Sequence, residues 1–150
     1  MGEALGYKMG MTLNHAFPKS GGYLLDWHYT LVSAVGPLVT LVQSVCCFGV
    51  IKKYHNSLLY PFLFSSFYLE TLSGVMNFRH ANDLGRISES FGLGLFTVSI
   101  IFVAIHFFLL YRTSKRENYS SKSIIWTLFL VLLFSSIWIL SNNRFHITIL

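Results

Sequence analysis

Long apolar runs separated by short polar interruptions set the plan of this chain. Residues 31–51, 58–78 and 91–111 each approach the ~20 residues that an α-helix needs to cross hydrocarbon. Residues 124–140 form a fourth, shorter run of Leu, Ile, Phe and Trp. The pattern predicts an all-α membrane protein with about four transmembrane helices, in one multi-pass domain covering 1–150. Residues 1–28 behave differently. Tyr7 to Leu13 alternates, and Pro18 and Gly21-Gly22 punctuate a turn. This stretch is expected to form a short N-terminal β-hairpin or a re-entrant segment, not a spanning helix.

Polar positions inside the apolar runs fall at helical spacing. In 31–51, Pro37 is expected in the first two turns, where proline is tolerated best. Gly36, Thr40, Gln43 and Cys47 recur along one face, which predicts a small, polar stripe turned toward other helices. In 58–78, Ser66, Glu70, Ser73, Gly74 and Asn77 share one face. A carboxyl at that depth has two readings: a hydrogen-bonded, protonated group in the bundle interior, or a group that handles protons or chemistry. In 91–111, Gly92, Ser99 and His106 lie seven apart, and His106 reads as a packed, hydrogen-bonded residue in preference to a ligand. The run 124–140 lacks a polar stripe and is expected to be peripheral and lipid-facing. Between the second and third runs lies the most polar stretch of the chain, Asn77-Phe78-Arg79-His80-Ala81-Asn82-Asp83-Leu84-Gly85-Arg86.

Composition agrees with the pattern. Hydrophobic residues make up 53% of the chain and charged residues 11%, with a mean hydropathy of +0.56, where a soluble domain carries about 25% charge. The formal charge of +5 does not point to nucleic acid, because the basic residues sit at the ends of apolar runs, as in membrane-flanking loops. The lipid bilayer is the expected partner, and an integral, multi-pass location follows without naming the membrane. Lys52, Lys53, Arg112, Lys115, Arg116 and Lys122 flank one side of the runs, and Lys8, Lys19, Arg79, Arg86 and Arg144 the other. The two sets nearly balance, although the density of the third loop favours the cytoplasm for its side. Adjacent Cys46 and Cys47 suit neither a disulfide nor a zinc site and read as small packing residues. No signal peptide is expected, since the first residues lack a continuous apolar core.

Three features occur in a telling order: Leu5-Gly6-Tyr7-Lys8-Met9 with the Gly21-Gly22-Tyr23 turn, then Ser33-Ala34-Val35-Gly36-Pro37-Leu38-Val39-Thr40, then Asn77 to Arg86. Over about residues 4–110 the chain resembles the membrane-embedded zinc metallopeptidases of the site-2 protease type, hydrolases of intramembrane proteolysis. The resemblance implies Asp83 as the carboxylate ligand of zinc, the third ligand beside two histidines. It implies Asn77 as the group that steadies the substrate carbonyl or its oxyanion. Gly36-Pro37 would mark the helix against the metal helix, with Thr40 where the family has Asn. Zinc held by two His and a carboxylate keeps a position for water, and a membrane-protein substrate or partner chain is implied as well. The family's His-Glu-x-x-His does not occur in this chain, so the resemblance implies a shortened or non-catalytic form that does not hold zinc tightly by itself. His15 and His80 lack i, i+4 spacing with another histidine and are not expected to replace the missing ligands. An alternative reading is a small non-enzymatic multi-pass protein, a transporter or complex-assembly subunit. In it Glu70, Asn77 and His106 would form an interior polar face.

Overall fold

The computed structural model describes residues 5–11, 16–19, 21, 22 and 24–145; the expected turn residue Tyr23 and His15 lie outside them. Strands β1 (Met9–Met11) and β2 (Ala16–Pro18) pair antiparallel, with Met9 opposite Pro18. Tyr7 ties the pair to the start of the first helix. Its hydroxyl accepts the Leu24 N–H at 2.8 Å and meets His28 Nδ1 at 2.8 Å.

Helix α1 (Asp26–Tyr54) has 29 residues and overruns the expected 31–51 at both ends. Pro37 therefore lies well inside the helix and not in its first two turns. The aromatic and polar residues Trp27, His28, Tyr29 and Thr30, which resemble a lead-in by composition, already belong to the helix. At the other end Lys52 and Lys53 complement the helix dipole, and His55 closes the helix at φ 51°, its N–H bonded to Ile51 O.

A 3-10 turn (Ser57–Leu59) is started by Asn56, whose side chain accepts the Leu58 N–H at 3.0 Å. Helix α2 (Tyr60–Met76) comes next, with Pro61 in its first turn, where the missing N–H is not needed. The polar stretch then folds into a helix that the periodicity did not announce, α3 (Asp83–Ser90), capped by Asn82. Helix α4 (Thr97–Arg116) begins later than the expected 91. Gly92 at φ 68° and the Thr97 N–H to Gly94 O bond of 2.9 Å make residues 91–96 a turn. Helix α5 (Ser121–Phe145) is the last element among the described residues and is longer than the expected 124–140.

Helices α2 and α4 form the most extensive pair; α1 crosses both, α3 lies against α1 and α4, and α5 packs on α2. The apolar core gathers Tyr60, Leu63, Phe64, Leu109, Leu110 and Val131, toward the end where α2 begins and α4 finishes. The other end is joined by polar side chains. On α1 the buried face is Ser33, Pro37, Ser44 and Ile51, whereas Gly36 and Gln43 of the expected inward stripe are exposed. Thr40 and Cys47 are half-buried, so the stripe flanks the inward face, which centres on Ser33–Ile51 where α2, α3 and α4 sit.

Two helices are long and apolar enough to cross a membrane, Trp27–Tyr54 and Thr97–Arg116. Only 11% and 28% of their most apolar windows are buried, so neither is the enclosed core helix of a soluble fold. Apolar side chains such as Val42, Ile100, Phe108 and Phe134 point outward, an exposure that marks a membrane or partner surface.

Candidate functional site

The polar end of the bundle is built outward from Asn77, which succeeds the last turn of α2 and is 3% exposed. Its Nδ2 donates to Ser99 Oγ on α4 at 2.9 Å, and its Oδ1 accepts the Asn82 N–H at 2.8 Å. Asn82 repeats the device one step further. Its Oδ1 accepts the Gly85 N–H at 2.9 Å, capping α3, while its Nδ2 donates to the carbonyl and hydroxyl of Ser73. Ser88 Oγ on α3 accepts the Val98 N–H at the start of α4, at 3.0 Å. Two buried amides and three serines thus join α2, α3 and α4. The Asn77 amide is engaged at both ends by these bonds.

Asp83 is the first residue of α3, where the helix dipole favours a carboxylate. It accepts a hydrogen bond from the Ser33 hydroxyl on α1. Its Oδ2 stands 4.0 Å from where a Cβ on Gly36 would be, so it rests against the glycine face of α1. Arg86 Nη1 is 4.0 Å from Asp83 Oδ1, and the same guanidinium lies over the Tyr29 ring. Burial pushes the Asp83 carboxyl above its ordinary value, against the opposing pull of Arg86 and Ser33. The side chain still keeps 30% of its surface exposed, so the carboxylate is reachable from outside the bundle.

Glu70 is buried on α2, close enough to Asp83 for the two carboxylates to repel when both are charged. His106 is fully buried on α4. Its Nδ1 donates to Phe102 O at 2.8 Å, and its Nε2 has no hydrogen-bond partner. The Asn77–Ser99 bond and the 2.7 Å Tyr60–Ser114 bond fix the antiparallel register of α2 and α4. That register puts Glu70 and His106 at the same level. Thr40 turns its hydroxyl onto Gly36 O of its own helix, at 3.1 Å.

The fold therefore sets Asp83 against Gly36 with Glu70 within electrostatic reach of it, engages Asn77 in the bonds that join α2, α3 and α4, and places His106 level with Glu70 between α2 and α4. Ser33 was not singled out by the sequence reasoning, although it sits one turn before Gly36. Asn82 was missed as a cap because the helix it starts was missed. Among the described residues no three His, Cys, Asp or Glu side chains gather as a metal site requires. Asp83 and Glu70 supply two carboxylates and no imidazole, which does not fit a tetrahedral zinc held by two His and one carboxylate. No known protein family, curated protein or solved structure matches the chain.

Proposed function

We propose that this chain is a four-spanning membrane protein of site-2 protease-like build that presents Asp83 without histidine co-ligands and is non-catalytic by itself. The seat of Asp83 carries the reading. Its carboxylate is bonded to Ser33 and lies against Gly36, on the helix that the resemblance packs against the metal helix. A zinc ion there would need further ligands from a partner chain. Zinc content of the purified protein tests this. Well under one equivalent per chain, unchanged by Asp83→Ala, with no proteolysis of membrane substrates, is expected. Stoichiometric zinc that disappears in Asp83→Ala would overturn the non-catalytic reading.

One observation favours a second reading. Glu70 and His106 share a level inside the bundle, and His106 Nε2 is buried without a partner, as an interior polar path would have them. Proton flux across liposomes containing the protein, abolished by Glu70→Gln, would replace the first reading with this one.

A further inference from the structure

We propose that the end of the bundle formed by the C-termini of α1 and α4 and the start of α5 is a binding surface for anionic phospholipid headgroups. Three interactions gather this end. Arg116 Nη2 donates to Lys52 O at 3.0 Å, and His55 Nδ1 meets Glu117 Oε2 at 2.9 Å, so the ends of α1 and α4 are locked together. Tyr60 and Tyr119 pack beside them with ring centroids 4.3 Å apart and planes tilted by 40°. The lock brings Lys52, Lys53, Arg112, Lys115 and Lys122 onto one rim, all of them exposed.

Their charge is not neutralised by the protein. Glu117 is the one acid at this end among the described residues, and it is turned inward. Only 10% of its side chain is exposed, and it is engaged by His55 and, at 3.6 Å, by Arg116. The opposite end is mixed, with Asp26, Asp83 and Glu89 interspersed among Lys8, Lys19, Arg79 and Arg86. The fold thus converts a nearly even division of basic residues into one end with a large excess of positive charge and one end where acids nearly balance it.

The surroundings of these cations are those of a bilayer interface. Lys53 lies over the Tyr54 ring at 5.0 Å, and Arg112 over Phe108 at 5.7 Å. Tyr54, Tyr111 and Trp126 are exposed around the rim. Aromatic rings at headgroup level with long cations reaching past them are the pattern of a membrane–water boundary. Clustered cations next to spanning helices attract anionic leaflets. Phosphate-bearing headgroups are the complementary ligand, and the Asp83 cluster then faces the opposite side of the membrane.

Trp126 serves as the reporter. In the full chain carrying Trp27→Phe and Trp138→Phe, its quenching by brominated phosphatidylglycerol is compared with that by brominated phosphatidylcholine in mixed vesicles. Each cation near an anionic surface contributes on the order of fivefold, so a preference for phosphatidylglycerol of at least about fivefold is expected. It should fall to near unity when Lys52, Lys53, Lys115 and Lys122 are changed to Gln, and also in the unsubstituted surface at high salt. The salt arm holds whether or not the fourfold variant folds. Replacing Lys8, Lys19 and Arg79 with Gln should leave the preference intact. Equal quenching by the two lipids, a preference that survives high salt, or one lost with the opposite-end substitutions would overturn the proposal.

Discussion

At Gly85 an added Cβ would stand 2.6 Å from Asn77 Oδ1, 3.1 Å from Asn77 Cγ and 3.0 Å from Leu95 Cδ1. The Asn77 side chain is not free to move away. It is held by Ser99 and Asn82, so relieving the clash means breaking the bond that positions the cap of α3. Overpacking of this kind costs about 1–3 kcal/mol, and a buried hydrogen bond adds about 1 kcal/mol. Gly85→Ala is therefore expected to destabilise the protein by about 2–4 kcal/mol, read as a lowered thermal midpoint in detergent or nanodiscs. Gly36→Ala is the matched control. Its Cβ would meet Asp83 Oδ2 at 4.0 Å, an ordinary contact, and its midpoint should stay close to that of the parent. Equal loss in the two variants would show that the crowding at Gly85 is not the cause.

Helix α3 carries the same argument to the scale of an element. Its seat on α1 is Asp83 against Ser33 and Gly36, and burial raises the carboxyl above its ordinary value. The folded protein then holds this proton at pH values where the unfolded chain has released it. Between the ordinary carboxylate value, about 3.9, and the raised one, the native state binds more protons, so Asp83 lowers stability as pH rises through that window. Asp83→Asn should match the parent at acid pH and melt at a higher temperature near neutrality. A variant that is less stable at neutral pH than at acid pH, relative to the parent, would reverse the sign and refute the argument. The stripe Ser66, Glu70, Ser73, Gly74 and Asn77 was legible in the sequence, because helical spacing inside an apolar run marks an inward face: Ser66, Glu70 and Asn77 are buried, and Ser73 and Gly74 half-buried. Helix α3 was not legible. It is eight residues long with a glycine in its first turn, and tertiary bonds from Asn77 and Ser73 to Asn82 hold its start. The start of α4 misled for the opposite reason: residues 91–96 are apolar enough to extend the span, but the backbone at Gly92 turns. On α1 the small residues were visible and their direction was not, since that depends on where α2, α3 and α4 lie.

For the whole molecule, the register of the helices makes a statement about sidedness that length alone does not. Two helices meet the length and apolarity of a span, while α2 has 17 residues and carries Glu70. Yet α2 is held antiparallel to α4 by bonds at both ends, Asn77–Ser99 and Tyr60–Ser114. The end of α1 is tied to the end of α4 through Arg116 and Lys52. On the four-spanning reading proposed above, α2 accompanies α4 across the bilayer, because their termini lie level. That reading puts the connection after α1 and the connection after α4 on one side, and α3 on the other. With Cys46 and Cys47 replaced by Ala, single cysteines introduced as Ser57→Cys, Ser121→Cys and Glu89→Cys give three reporters for an impermeant maleimide. In sealed vesicles of one orientation, the first two should label together and the third only after the membrane is opened, or the reverse. Labelling of Ser57→Cys and Ser121→Cys from opposite sides would break the four-helix arrangement, because no rotation of the bundle separates two ends that share the Lys52–Arg116 bond.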